Sequence, residues 1–149
     1  MLTQLKQTRH FHAGLFLVRQ LEFALFDFQL HARESGGSMA EVLSLLSTIR
    51  GQVAVIQPPE WHRFPHGFGH IFGGGYGAGY YSYLWAEVLS ADAFAAFPTH
   101  APLDPAVGNR FRNEVLAVGG SRPALASFRA FRGRDPEPAA LLESYGMRQ

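Results

Sequence analysis

The chain has no cysteine among its 149 residues, which excludes disulfides, thiolate nucleophiles and thiolate metal ligands and fits a reducing compartment such as the cytoplasm. Net charge is nearly absent as well. A formal balance of +1 sets up no long-range field for nucleic acid or an acidic partner. No secretory pattern opens the chain. Its long apolar run, Ala13 to Leu30, is interrupted by Arg19, Glu22 and Asp27, whose charges would be costly at bilayer depth, so it reads as a soluble core helix and no membrane partner is expected. Internal repeats, low-complexity tracts and strands alternating with helices are missing too. So are several signatures of catalysis. There is no H-E-x-x-H, no Gly-Lys-Ser/Thr after a glycine-rich turn, and no G-x-S-x-G around Ser82 or Ser90. Glu87 and Asp92 fall on different faces of one helical pattern and do not make a carboxylate pair.

What is present is a core. Hydrophobic residues are 47% and aromatics 13%, which supports a folded chain of single-domain length and argues against disorder. The pattern is mostly α. Leu5 to Arg33 reads as one long helix whose only glycine is Gly14. Phe11, Leu15, Val18, Leu21, Leu25 and Phe28 make a stripe at three- and four-residue spacing, while Phe16, Phe23, Phe26 and Leu30 lie on other faces, so burial on most sides is expected. Gly36-Gly37 ends this helix. Ser38 and Glu41 then form a capping box for a second helix, expected to stop near Arg50 with Gly51 as its terminator. Gln52 to Ile56 is short and β-branched and reads as a strand that Pro58-Pro59 would cut off. From Pro58 to Gly79 the chain is rich in glycine, proline and aromatics with no helical period. A loop of that length is usually functional or disordered, and the aromatics argue for function. Further helices are expected from Gly79 or Tyr80 to Phe97, from Asp104-Pro105 to Gly119-Gly120, from Ser121 and Pro123 to Gly133, and from Asp135-Pro136 to Gly146.

The stretch FGHIFGGGYGAGYYSYLW, Phe68 to Trp85, concentrates six of the sixteen glycines and four of the five tyrosines in eighteen residues. Glycine lets a backbone move and approach a ligand closely, and phenols donate hydrogen bonds without carrying charge. A glycine hinge that delivers tyrosine hydroxyls suits closure on a polar substrate. The plainer reading is that Tyr80 and Tyr81 pack the first turn of a helix; Tyr80 and Tyr83 share a face, and Tyr76 precedes them. The run Gly73 to Ala78 has the form G-x-G-x-x-A of a dinucleotide-binding turn, but no strand precedes it, and Asp92, at the distance where the ribose-binding acid belongs, sits inside a helical pattern. His62, His66 and His70 recur every four residues, which on a helix would line one face for a metal; Pro65, Gly67 and Gly69 make a continuous helix there unfavourable. Loop histidines that bond backbone or substrate are the plainer reading, and His10 and His12, two apart, would face different ways. The arginines from Arg110 to Arg134 are spread among acids and read as a solvated face, with no nucleic-acid partner.

Several blocks, in order, resemble a known family. They are PPEW at Pro58 to Trp61, FGHIFGGGYGAGYYSYLWAEVLSADAF from Phe68 to Phe94, and RFRNEVLAVGGSRP from Arg110 to Pro123. The helix beginning at Ala13 and the tail beginning at Phe128 fit as well. Together they are similar to the C-terminal portion of the oligopeptidase A-like members of the thimet oligopeptidase and dipeptidyl carboxypeptidase family of zinc metallopeptidases.

The resemblance implies a mostly α fold, the helical C-terminal part of a zincin-type oligopeptidase with a long Gly/Tyr-rich loop, and residues 1–149 as one helical region of a larger catalytic domain. It implies hydrolysis of peptide bonds in short peptides by a zinc whose ligands, H-E-x-x-H and a downstream Glu, precede the matched region. The chain then looks like a C-terminal fragment that holds no metal and is inactive alone, with the N-terminal part of the peptidase as its missing partner and self-association of the exposed fragment as a further expectation. His70 corresponds to the family's loop histidine near the scissile bond, Tyr76 and Tyr83 to tyrosines that serve the tetrahedral intermediate, and Tyr80 to a third tyrosine facing substrate. Gly73, Gly74, Gly75, Gly77 and Gly79 correspond to the flexible substrate-binding loop. The competing reading is a small helical binding protein, or a His-rich metal-binding module built on His62, His66 and His70.

Overall fold

The computed structural model describes residues 2–8, 10–34 and 37–147, and all regular structure among them is helical. The chain forms two compact units, Met1–Leu84 and Trp85–Gln149.

In the first unit the expected single N-terminal helix is two. α1 covers Leu2–Thr8 and α2 covers Ala13–His31. The break is at His12, which takes the left-handed conformation (φ 56°), and not at Gly14. Thr8 prepares it by donating its hydroxyl to the Leu5 carbonyl at 2.7 Å, a local bond that competes with helix continuation. The face of α2 that enters the core also differs from the expected stripe. Phe26 is fully buried, with Phe23 and Leu30 packed beside it, whereas Phe11, Leu21 and Phe28 are exposed.

α3, Met39–Val53, starts as its sequence requires. The Ser38 N–H donates to Glu41 Oε2 at 2.6 Å and the Glu41 N–H donates to the Ser38 hydroxyl, which satisfies amides that have no partner inside the helix. The helix runs through Gly51 rather than stopping there. Its end is set by Ala54 in extended conformation and by Gln57, whose Nε2 donates to the Arg50 carbonyl at 3.1 Å. The expected strand at Gln52 to Ile56 is therefore absent: its first two residues belong to α3, and Val55 and Ile56 are exposed. Leu45, Leu46 and Ile49 of α3 meet Phe26 of α2, and Phe68 and Ile71 close the core from the far side.

Two of the charges that interrupt α2 are buried by pairing. Glu22 accepts from Arg50 Nε of α3 at 2.8 Å and from Arg19 at 2.6 Å. Removing Arg50 would strand the Glu22 charge in the core, which is why the two are needed together.

The stretch Pro58 to Gly79 is less irregular than expected. It holds a 3₁₀ turn, Phe64–Gly67, and one turn of helix, α4, Gly69–Phe72. α5, Ser82–Phe94, begins two or three residues later than expected and ends three before Phe97. The boundary between the units falls within it.

The second unit contains α6 (Pro105–Phe111), a π-helical turn (Arg112–Leu116), α7 (Ala124–Arg132) and α8 (Ala139–Ser144). Asp104 caps α6 as expected, accepting from the amides of Ala106 and Val107, and Pro105 occupies the first turn. Gly133 ends α7 in the left-handed conformation. Two start signals are used differently. Ser121 donates back to the Val118 carbonyl and Pro123 is the residue before α7; Asp135 pairs with Arg129, and α8 starts after Pro138. The arginines here are not simply a solvated face. Arg132 and Arg134 converge on Asp92, which is fully buried, and Arg122 pairs with Glu114.

Candidate functional site

α4 leads into the glycine turn and α5 receives it. The amides of Gly73 and Gly74 both donate to the Gly69 carbonyl at 2.8 Å, and the Tyr76 amide donates to the His70 carbonyl at 3.1 Å. The chain thus folds back over the end of α4. Only glycine allows it at two points. A Cβ on Gly74 would lie 2.9 Å from the His70 carbonyl oxygen, and Gly75 has φ 78°.

This turn brings the expected site residues together. The rings of Tyr76 and Tyr83 stack at 5.2 Å between centroids, and Tyr80 lies 5.1 Å from Tyr83. His70 sits 6.3 Å from Tyr76 and 6.1 Å from Tyr80, edge-on to the latter. Phe68 and Phe23 floor the cluster against Tyr80 at 5.1 and 5.7 Å. Tyr76 and Tyr83 are 38% and 40% exposed, so a ligand can reach both phenols, while Gly73, Gly74, Gly75 and Gly77 of the turn are open to solvent. Tyr81, by contrast, packs on Phe28 at 6.3 Å and belongs to a different surface.

Two of these phenols, Tyr83 and Tyr80, are held protonated. A hydrogen bond with Tyr76, reinforced by burial and by the neighbouring Tyr76 and Tyr80, raises Tyr83 above the ordinary tyrosine value of 10.0. Burial raises Tyr80, with Arg19 opposing, and the Tyr80 hydroxyl donates to Gln20 Oε1 at 3.3 Å. Two accessible aromatic hydroxyls beside an imidazole can donate to an oxygen that carries or gains negative charge.

The other histidines are not gathered there. His62 Nδ1 lies 3.3 Å from Arg50 Nη2, and His66 is exposed in the 3₁₀ turn. His10 and His12 flank the break before α2. Among the described residues no group of three or more His, Asp or Glu could hold a metal ion.

Residues 1–147 match Peptidase family M3. The chain belongs to that family. It is 48% identical over 146 residues to Oligopeptidase A of Haemophilus influenzae, covering 98% of this chain and 21% of that protein. Oligopeptidase A of Escherichia coli is 47% identical over 148 residues, 99% of this chain and 22% of the relative. The organellar oligopeptidase A of Arabidopsis thaliana, chloroplastic and mitochondrial, is 46% identical over 149 residues, 97% of this chain and 19% of the relative. The chain thus spans about a fifth of the length of the curated relatives it matches.

One residue at this site goes unread in the sequence of this family M3 chain. Asp27, fully buried in α2, accepts from the amides of Ala78 and Tyr80 at 2.9 Å each. A carboxylate in the middle of an apolar helix was the available signal: burial of an acid demands donors, and the nearest donor-rich backbone is a glycine turn.

Proposed function

We propose that this chain is the substrate-binding part of a zinc metallo-oligopeptidase that hydrolyses peptide bonds in short peptides. The glycine turn, Gly73 to Gly79, closes on the peptide, and Tyr76, Tyr83 and His70 donate to the scissile carbonyl oxygen as it becomes an oxyanion; Tyr80 lines the same wall. The observation that carries this reading is the gathering of His70, Tyr76, Tyr80 and Tyr83 around a glycine turn in a chain of family M3.

The chemistry follows from charge. Attack on a peptide carbonyl moves negative charge onto its oxygen, so donors placed there stabilise the transition state more than the ground state. Neutral phenols suit this because they strengthen their bonds as charge develops without binding the uncharged substrate too tightly. The zinc finds no fitting ligand set among the described residues, and the sequence has no H-E-x-x-H. We place its ligands in the remainder of a longer peptidase, and the whole in the cytoplasm. No described helix is long and apolar enough to cross a membrane.

Two outcomes test this on the chain as it stands. The purified chain is expected to bind no stoichiometric zinc and to leave a quenched short peptide uncleaved, since a catalytic zinc needs about three protein ligands. Chelator-sensitive hydrolysis would overturn the division of labour proposed here, and tight one-to-one zinc binding would favour a His62, His66 and His70 module instead. The chain alone is also expected to self-associate, because Phe11, Phe28, Val55, Ile56 and Trp61 are each more than half exposed. Light scattering that reports a monomer at high concentration, with no binding of a hydrophobic dye, would contradict it.

A further inference from the structure

We propose that Asp27 is a positioning residue for the tyrosine cluster: its carboxylate latches the exit of the glycine turn to α2, so that Gly73 to Gly77 move while Tyr80 and Tyr83 stay fixed. The catalytic consequence rests on the oxyanion role proposed above; the latch itself does not.

The geometry is specific. Asp27 Oδ1 accepts from the Ala78 amide and Oδ2 from the Tyr80 amide, both at 2.9 Å, across more than fifty residues of sequence. His31 Nδ1, one helical turn on, lies 2.9 Å from Asp27 Oδ1 and 2.9 Å from the Asp27 carbonyl. Asp27 has no exposed surface. A leucine would fill the same space at less cost in desolvation, so packing alone gives no reason for a carboxylate there. What a carboxylate adds is two acceptor oxygens aimed at two amides.

Those amides lie where position is transmitted. Ala78 has φ 57°, a conformation a non-glycine residue keeps only when its surroundings impose it, and the Asp27 bond is made to that residue. Tyr80 starts the turn that leads into α5: its carbonyl accepts from the Tyr83 amide at 3.3 Å, and its ring touches those of Phe68, His70 and Tyr83. Before the turn, the Phe68 and Ile71 side chains are anchored in the core. Between these anchors the turn passes the His31 ring, whose Nε2 would lie 3.2 Å from a Cβ on Gly77, and Gly73 to Gly77 are exposed. A hinge with one end in the core and the other on a buried acid can close, and carry Tyr76 onto the peptide, without displacing Tyr80 and Tyr83.

The test is amide hydrogen exchange on the 149-residue chain. The Ala78 and Tyr80 amides are expected to exchange roughly a hundredfold or more slowly than those of Gly75 and Gly77, although all four lie in the same segment. Equal rates across the segment would overturn the latch, and this comparison needs no variant. Asp27→Asn keeps the shape but turns an NH₂ toward one of the two amides. It should speed exchange at Ala78 or Tyr80 at least tenfold while leaving α3 protected. A variant that leaves exchange at both amides unchanged refutes the proposal. In a peptidase that contains the chain, Asp27→Asn should lower kcat about tenfold or more with KM within about threefold. If the exchange results hold but Tyr76→Phe and Tyr83→Phe are both silent, the latch survives and the oxyanion role does not.

Discussion

Tyr83→Phe, made in a peptidase that contains this chain, is expected to lower kcat by roughly 100- to 1,000-fold, or about 3–4 kcal/mol of transition-state stabilisation. The substitution keeps the ring and its stacking on Tyr76 at 5.2 Å, and removes one hydroxyl that is accessible to ligand. KM should change much less, because a ground-state carbonyl gains less from the donor than an oxyanion does. Tyr76→Phe should have an effect of the same order. The two will not add. Tyr76 and Tyr83 stack on each other, so each single substitution already disturbs the donor that remains, and the double variant should be little worse than the poorer single one. Because Tyr83 titrates above the ordinary value, loss of activity below about pH 10 does not come from its ionisation. Tyr81→Phe is the internal control, since Tyr81 packs on Phe28 outside the cluster. If Tyr76→Phe and Tyr83→Phe both leave kcat within about threefold, the phenols are packing groups and the proposed function is wrong.

The glycine and tyrosine spacing carried most of this site in the sequence, because the relevant geometry is local. Gly74, Gly75 and the Tyr76 to Tyr83 interval lie within ten residues, and a turn that folds back onto α4 brings them together without help from distant segments. Capping was legible for the same reason: Ser38 with Glu41, and Asp104 with the Ala106 and Val107 amides, bond across two or three residues. What was not legible depends on distant partners. Apolar spacing on α2 could not choose between the Phe11–Phe28 stripe and the Phe23, Phe26 and Leu30 face, because the choice is made by Leu46, Ile49 and Phe68, which come from elsewhere. Nor could it show that Glu22, Asp27 and Asp92 are the buried charges of the fold, since their partners, Arg50, Ala78, Tyr80, Arg132 and Arg134, lie 28 or more residues away. The false strand at Gln52 to Ile56 has the same origin. β-branched residues favour strands only where a neighbouring strand exists to pair with, and among the described residues there is none.

A large stability effect is expected at Asp92, in the second unit. Its carboxylate is fully buried and accepts from Arg134 Nη1 and Nη2 at 2.8 and 2.7 Å, from Arg132 Nε at 3.2 Å, and from the Glu137 amide at 2.8 Å. It thereby ties α5 to the end of α7 and to the segment before α8. Asp92→Asn puts an NH₂ among these donors, takes the counter-charge from Arg132 and leaves Arg134 with Glu137, 3.8 Å away. Breaking a buried pair from one side costs about 3–5 kcal/mol, and the partial exposure of Arg134 places this case near 3. Urea unfolding at pH 7 should show that loss, whereas Asp135→Asn, which breaks a pair exposed on both sides, should have little effect. The acid response has a defined sign. Burial pushes the Asp92 carboxyl up, but the bonds from Arg134, the Glu137 amide and Arg132 outweigh it and hold the folded-state value below the ordinary carboxylate value of 3.8. A depressed folded value means stabilisation that is fully present above the unfolded value and is lost as pH falls through the folded one. The stability difference between the parent chain and Asp92→Asn should therefore be flat above about pH 5 and narrow steadily below about pH 4. A difference below about 1 kcal/mol at pH 7, or one that widens in acid, would show that the arginines hold this acid for some purpose other than stability.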